Sequence, residues 1–350
     1  MYIVIAIIAF GILITVHEAG HFLAAKLCGV KVVEFAIGMG PKIFKRQGSE
    51  TLFTLRALPI GGYCAMEEDE ESSDPRAFTN QKGYKKLLIL AAGSIMNFIF
   101  GFLLLLALVN PASFRTPTIT SFFDECPYVG EDAFMEGDTF YKVNGERIYF
   151  SSHVSFYLSR GGDTADIEII RNGEKIVLND FHMVRVEMND DGQMKPLYGL
   201  RFENTETGAT ARLKCAWYQA ADYVRIVRIS LADLFSGAAG IRDLSGPVGL
   251  VSVMNDVAQE SPTAGIAILN ILSLVAFIAI NLATMNLLPI PALDGGRILF
   301  LFIHWVVEKI ARRQVSPKYE GYVHAAFMIA LLGLMAFVMI NDVVRIVTGA

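Results

Sequence analysis

Charged residues are scarce in this chain, and their scarcity separates it from most soluble proteins. Asp, Glu, Lys and Arg make up 19% of the 350 residues, against roughly 25% in an average soluble domain. Hydrophobic residues make up 53%, which excludes intrinsic disorder because a disordered chain has little apolar surface to bury. The composition favours a membrane protein with a water-soluble insert.

Cysteine and excess positive charge are also lacking. Four cysteines, none in a CxxC spacing, are too few for a disulfide scaffold. We expect free thiols rather than a Cys126–Cys215 pair, which would need the fold to bring the two together. The formal net charge of −5 offers no basic surface of the kind that binds nucleic acid, so no nucleic-acid partner is expected.

Four apolar stretches are each long enough to cross about 30 Å of hydrocarbon. They cover Tyr2–Leu27, Leu87–Asn110, Ala264–Leu288 and Tyr322–Val347. The first lacks the positively charged start and the cleavage site of a signal peptide, so we expect it to remain as a span.

Lys and Arg predict the orientation of these spans. The segment 26–86 carries ten of them and 305–321 carries four, which places both segments in the cytoplasm. Both termini and the region 111–263 then lie on the extracytoplasmic side of the membrane.

The segments between the spans have strand, loop and helix patterns. Residues 31–66 alternate and are broken by glycines, which predicts one or two β-hairpins, and the acidic run 67–71 is expected to be a solvated loop. Strands predicted at Phe140–Val143, Ile167–Arg171 and Lys175–Leu178 indicate a small α/β or mostly β domain over 115–205. Residues 207–236 form an amphipathic helix that either lies on the outer membrane surface or packs on its own domain.

The clearest chemical motif is His17-Glu18-Ala19-Gly20-His21. Histidines at i and i+4 share one helix face, so both imidazoles can bind one zinc ion, and Glu18 is close enough to act as a general acid/base. Ionisable side chains inside an apolar span are costly unless they serve a site. The other histidines, at 153, 182, 304 and 324, are expected to have ordinary surface or core roles.

A catalytic zinc site needs a third protein ligand. Asp294, at the cytoplasmic end of the third span, is the favoured candidate, and Glu34 and Glu308 are its rivals. A helix C-terminal cap is the alternative role for Asp294, which two glycines follow.

The third and second spans carry further polar and small residues. Pro289 and Pro291 are expected to break the third span beside a cavity, because irregular backbone at membrane depth needs protein or water to satisfy it. Asn281 and Asn286 either bond a neighbouring helix or hold substrate backbone. In the second span Gly93 and Asn97 form a packing motif.

Together these residues resemble the site-2 protease family of intramembrane zinc metalloproteases, most of all its bacterial RseP/RasP branch. The resemblance rests on the HEAGH motif at 17–21, Gly93-xxx-Asn97, the run from Asn286 to Asp294-Gly295, and Ser245-Gly-Pro-Val-Gly249. It covers nearly the whole chain, and the pairing of the first motif with Leu293-Asp294-Gly295 is highly specific.

The resemblance implies roles for these residues. Zinc would be held by His17, His21 and Asp294, with Glu18 as the catalytic acid/base. The motif positions Asn281, Asn286, Pro289 and Pro291 would handle substrate, and Gly93 and Asn97 would pack near the site. The 31–66 hairpins would be a membrane-associated region that aligns substrate as an added strand.

The resemblance also implies a fold class: a polytopic α-helical membrane protein of about four transmembrane helices, with a membrane-associated β-hairpin region and one inserted extracytoplasmic PDZ domain. The PDZ-like stretch is Gly137–Glu146, and the lack of a clear carboxylate-binding glycine loop favours a steric gate over capture of peptide ends. The expected divisions are 1–110, the first half of the protease core; 115–205, the PDZ domain; 206–263, an amphipathic helix and connector; and 264–350, the second half of the core.

The expected activity is zinc-dependent endopeptidase cleavage within the membrane, near the cytoplasmic side of a bacterial inner membrane. Expected substrates are single-span proteins such as anti-sigma factors, or remnant signal peptides. Three alternatives stay open: a catalytically silent metal-binding PDZ scaffold, a transporter, and a zinc protease of unrelated fold that uses Glu34 or Glu308. Intact Glu18 weighs against the scaffold, and the absence of inverted repeats weighs against the transporter.

Overall fold

A computed structural model describes residues 2–67, 73–124, 126–190, 193–238, 240, 246–311 and 317–348. It divides into two compact units, one formed by 1–108 with 219–350 and the other by 109–218. The acidic residues 68–71 and Ser245 lie outside the described residues.

Helices dominate the first unit. In chain order the α-helices of the described residues are α1 (Tyr2–Leu27), α2 (Gly83–Leu108), α3 (Ser151–Arg160), α4 (Ala209–Ser236), α5 (Pro247–Gln259), α6 (Ala264–Asn286), α7 (Asp294–Ala311) and α8 (Pro317–Thr348). Of these, α3 belongs to the second unit and α4 begins in it. Within the part of the chain that the structure describes, four of them contain stretches long and apolar enough to span a membrane: Ile7–Leu27, Gly83–Leu108, Ala264–Asn286 and Glu320–Arg345. They coincide with the four predicted apolar stretches.

The helix α7 was not expected from the sequence, and it corrects the placement of Asp294. Pro289 and Pro291 cannot continue a helix, and α6 ends before them at Asn286. The chain then turns and begins α7 at Asp294, in the first turn, where a carboxylate faces the positive end of the helix dipole. Asp294 therefore starts a new helix and is not a cap at the end of the third span.

Close helix packing brings α1, α2 and α6 together. Leu13 of α1 packs in one buried cluster with Ile271 and Val275 of α6 and Met254 of α5. A Cβ added to Gly101 of α2 would lie 2.7 Å from the Cγ1 atom of Ile280, so the absence of a side chain allows this approach.

The predicted hairpin region between α1 and α2 is present as two long, irregular strands. They are β1 (Val32–Gln47) and β2 (Leu52–Met66). Ala36 of β1 pairs with Thr54 on one side and Tyr63 on the other, so β2 bends back around β1. Its last part, 62–66, is an outer segment, and no other described strand pairs with it.

Glu34 ties this hairpin region together. Its carboxylate accepts hydrogen bonds from Thr54 Oγ1 at 2.7 Å and from Arg56 Nη2 at 3.0 Å. Lys42 Nζ lies 3.2 Å from the other oxygen. Burial by itself would raise the pKa of Glu34, but these bonds outweigh it and lower the pKa from 4.5 to about 2.

The lowered pKa predicts acid sensitivity of this region. Ionised Glu34 stabilises the fold fully above pH 4.5, and the stabilisation is lost as the pH falls toward about 2. The unfolding temperature in detergent should therefore fall less over that interval in Glu34→Gln than in the wild type. Parallel pH profiles for the two proteins would contradict this assignment.

The second unit is built on a small antiparallel sheet. The strands are β3 (Ser121–Phe122), β4 (Thr139–Val143), β5 (Glu146–Arg147), β6 (Thr164–Arg171), β7 (Glu174–His182), β8 (Val186–Asp190), β9 (Gln193–Leu197) and β10 (Leu200–Arg201). Four of them form a sheet in the order β5-β4-β6-β7. The three strands predicted in this region lie within β4, β6 and β7.

Turns and core agree with an α/β unit. Asn172 and Gly173 both have positive φ, 50° and 85°, as expected for the Asn-Gly turn between β6 and β7. Phe134 and Phe140 are buried with their rings 5.2 Å apart. All four cysteines of the chain are free.

Candidate metal centre

Three potential metal ligands meet at one point of the helical unit. His17 Nε2 lies 3.2 Å from His21 Nε2, and Asp294 Oδ2 lies 3.1 Å from the first and 3.3 Å from the second. Both histidines are buried. Within the described ranges this is the one group of three or more His, Cys, Asp or Glu side chains whose ligand atoms converge in this way.

The spacing of the three atoms fits a zinc ion. Ligands about 2.0–2.1 Å from a tetrahedral zinc are about 3.3 Å from one another. Asp294 Oδ2 is buried and makes no hydrogen bond with the described residues, although two ring nitrogens lie within 3.3 Å of it. A cation explains such a convergence of acceptors better than hydrogen bonding does. Three protein ligands leave a fourth position for water, as in catalytic zinc sites.

A neighbouring helix fixes the orientation of one ligand ring. His21 Nδ1 lies 2.7 Å from the carbonyl oxygen of Ile89 in α2. The Nδ1–H group donates to this carbonyl, which leaves the lone pair of Nε2 directed at the centre. The i, i+4 spacing on α1 then brings His17 to the same face, as predicted.

Gly93 of α2 lies directly against the two imidazoles. A Cβ added there would lie 2.7 Å from His17 Cε1 and 2.8 Å from His17 Nε2, and it would also touch His21 Nε2. A Cβ built on Gly20 of α1 would in turn lie 3.0 Å from the Cα atom of Gly93. The glycine thus leaves open the space beside the ligands, in addition to allowing the helices to approach.

One turn further along α2, Asn97 is fully buried. Neither its amide nitrogen nor its amide oxygen has a hydrogen-bond partner among the described residues, and the same holds for the Ser94 hydroxyl. Because Asn97 follows Gly93 by four residues, both lie on the same face of α2. A buried polar group of this kind is costly unless it bonds a water or a substrate.

Glu18 lies between the metal centre and the hairpin region. A Cβ at Gly62 in β2 would lie 3.5 Å from the Cγ atom of Glu18, and the backbone of Cys64 is within hydrogen-bond reach of the Glu18 carboxylate. Burial raises the pKa of the Cys64 thiol to about 12, and Cys64 is not one of the three converging ligand side chains. The outer segment of β2 therefore runs beside the acid/base candidate.

The other candidates lie in different surroundings. Glu34 is held within the hairpin region by Thr54 and Arg56, and Glu308 is exposed on α7. Neither of them is part of the converging group.

The residues expected to contact substrate lie at the end of α6 and just after it. Asn281 has a buried side-chain oxygen with no partner among the described residues, and Asn286 is the last residue of α6. Pro289 and Pro291 lie in the connection 287–293 that leads to Asp294. A cavity of about 990 Å³ adjoins this connection and is lined by Leu90, Ala292, Leu293, Asp294, Arg297, His304, Glu320 and His324, among others.

Sequence reasoning missed two polar residues of α8. His324 Nδ1 accepts a hydrogen bond of 2.8 Å from the backbone N–H of Ala292. Asp342 is buried and accepts bonds from the backbone N–H groups of Gly246 and Gly249, at 3.0 and 2.8 Å, so it caps the start of α5. The sequence feature that could have indicated these two residues is an ionisable side chain inside an apolar span, which is rare unless it has a partner.

Comparison with known proteins gives the same classification across the chain. The model of peptidase family M50 matches residues 5–334. A protein of Clostridium acetobutylicum named as a zinc metalloprotease is 34% identical over 98% of this chain and 97% of its own. The regulator of sigma-W protease RasP of Bacillus subtilis is 27% identical over 97% of each chain. The chain therefore belongs to peptidase family M50, the site-2 proteases, and is a membrane zinc metalloprotease.

Proposed function

We propose that this protein cleaves peptide bonds in the transmembrane segments of single-span proteins, with zinc held by His17, His21 and Asp294. The observation that carries the proposal is the convergence of three buried ligand atoms at 3.1–3.3 Å, with Glu18 on the adjoining face of the same helix. Zinc at this position supplies a Lewis acid and lowers the pKa of a water molecule.

Glu18 performs the proton transfers in this proposal. Its carboxylate takes a proton from the attacking water and later returns it to the leaving amine. The position of Glu18 between the ligand group and β2 gives it access to both reactants. A silent scaffold would have no use for a buried carboxylate at this place, because burying a charge is costly.

The outer segment of β2 is proposed to hold the substrate extended. A helical substrate hides its carbonyl groups in internal hydrogen bonds and must unwind before it can be cleaved. An extended chain can add to the unpaired edge at 62–66, which lies beside Glu18. Asn281 and Asn286 would then bond the substrate backbone, and Pro289 and Pro291 would keep the connection open beside the cavity.

The family and the charge distribution support our proposals for the substrates, the location and the domains. Anti-sigma factors and remnant signal peptides are the proposed substrates, and the name of the Bacillus subtilis relative, regulator of sigma-W protease, supports the first class. The proposed location is the bacterial cell membrane, with the segment 26–86 cytoplasmic. Both termini and the proposed PDZ domain at 115–205 are outside, where that domain restricts the access of bulky substrates.

The ligand assignment is tested by comparing carboxylate variants. Asp294→Ala should lose bound zinc and cleavage of a single-span test substrate, because two imidazoles alone make an incomplete site. Glu308→Gln, on the same helix but exposed, should keep both, and Glu34→Gln should keep its zinc. Zinc content of purified protein and substrate cleavage are measured side by side, with thermal unfolding as a check that each variant folds. Zinc retained in Asp294→Ala but lost in Glu34→Gln or Glu308→Gln would overturn the assignment.

A further inference from the structure

The connection between α6 and α7 is held in a conformation that its sequence does not favour. Ala292 has a φ of 82°, in the left-handed region that residues with a side chain rarely adopt. Such a conformation persists only where the surroundings hold it. The N–H group of Ala292 donates its hydrogen bond to His324 Nδ1, on α8, at 2.8 Å.

This bond determines the tautomer of His324. Because Nδ1 accepts a hydrogen bond, the ring proton of the neutral imidazole is on Nε2. Glu320 Oε1 lies 3.5 Å from that nitrogen, where a carboxylate favours the proton. The ring of Phe300 lies against His324, with the centroids 5.2 Å apart, and limits its rotation.

The same tautomer argues against a second metal site at the cluster of His304, Glu320 and His324. Glu320 lies 3.5 Å from Nε2 of each histidine, which resembles a second metal site. A protonated Nε2 has no lone pair for a metal, so His324 cannot bind one while it holds Ala292. The geometry favours support of the connection over a second ion.

The connection is packed tightly on the first turn of α7, so a shift of Ala292 reaches Asp294. A Cβ at Gly296 would lie 2.7 Å from the carbonyl carbon of Ile290 and 2.8 Å from the Cα atom of Pro291. The backbone of the first turn of α7 and the backbone of the connection are therefore in direct contact, with no free space between them. We propose that His324 is a positioning residue, which places Asp294 for zinc by holding Ala292; this rests on the proposed ligand role of Asp294.

Zinc affinity and backbone exchange test this role. In His324→Ala the dissociation constant for zinc, measured by chelator competition, should rise roughly 10- to 100-fold, as for loss of other outer-shell partners. In zinc-free protein, amide hydrogen exchange of peptides covering 287–293 should speed up. His324→Asn should restore both, because its amide oxygen can accept from Ala292 N–H at nearly the position of Nδ1.

Two further variants separate positioning from a general structural role. His304→Ala removes the other histidine beside Glu320 but no bond to the connection, and it should behave as wild type. Ala292→Gly combined with His324→Ala should recover much of the zinc affinity, because glycine adopts positive φ without strain.

The proposal would be overturned if His324→Ala had the zinc affinity and the amide hydrogen exchange of the wild type. It would also be overturned if His304→Ala and His324→Ala lost zinc affinity to the same extent. If Asp294→Ala bound zinc as tightly as wild type, the ligand assignment itself would fail. The exchange measurement on zinc-free protein distinguishes these cases, because it reports the Ala292 bond independently of the metal ligands.

Discussion

Replacing Glu18 by Gln should strongly reduce peptide hydrolysis while zinc binding persists. Glutamine has nearly the shape of glutamate but cannot accept the proton of the attacking water. General acid–base catalysis by one residue contributes about 10²- to 10⁴-fold to the rate. Cleavage of a single-span substrate should therefore fall by about 10²-fold or more. Glu18 is not one of the three converging ligand atoms, so the zinc content should match wild type.

The control for this variant is Glu308→Gln, which removes an exposed carboxylate from α7. Both proteins are assayed on the same substrate in the same detergent or vesicles, with bound zinc determined on each sample. Near wild-type hydrolysis by Glu18→Gln would contradict the proposed mechanism. Loss of zinc together with activity would instead show that Glu18 supports the metal site.

The membrane spans and the first metal motif could be predicted because both depend on local sequence. A run of apolar residues long enough to cross the bilayer has few alternatives. Two histidines four residues apart share a face of any helix. His17 and His21 therefore appear in the structure as the spacing predicted, on α1 and with their ligand atoms 3.2 Å apart.

The structure of the segment around Asp294 was harder to predict from the sequence, because its glycines are required by tertiary contacts rather than by local structure. Gly295 and Gly296 after Asp294 resemble the end of a helix, yet they lie in the first turn of α7. A Cβ at either position would collide with the backbone of 287–291. Only the folded connection shows this, so the sequence alone could not distinguish a helix end from a helix start.

The contacts of His324 and Asp342 could not be predicted from the sequence for a related reason. The partner of His324 is Ala292, 32 residues away, and the partners of Asp342 lie more than 90 residues away. No local pattern encodes these contacts. A polar residue in an apolar span indicates that some partner exists, but the identity of that partner is a property of the packed helices.

Gly93→Ala should sharply weaken zinc binding and hydrolysis while leaving α2 helical. The added methyl group would lie 2.8 Å from His17 Nε2 and in contact with His21 Nε2, closer than unbonded atoms tolerate. One or both rings must move away from the position at which they meet Asp294. Alanine is the better helix former by about 1 kcal/mol, so loss of helix is not the expected cause.

Two other glycines of α2 distinguish loss of the metal from loss of packing. Gly83→Ala places its methyl group in open space and should resemble wild type in zinc content and unfolding temperature. Gly101→Ala pushes against Ile280 and Ala276 of α6, so it should lower the unfolding temperature with less effect on zinc affinity. If Gly93→Ala lost stability as Gly101→Ala does and kept its zinc, the glycine would serve helix packing alone. Zinc loss with the unfolding temperature of the zinc-free protein unchanged would assign Gly93 to the metal centre, because a methyl group at Gly93 meets the two imidazoles whereas one at Gly101 meets α6.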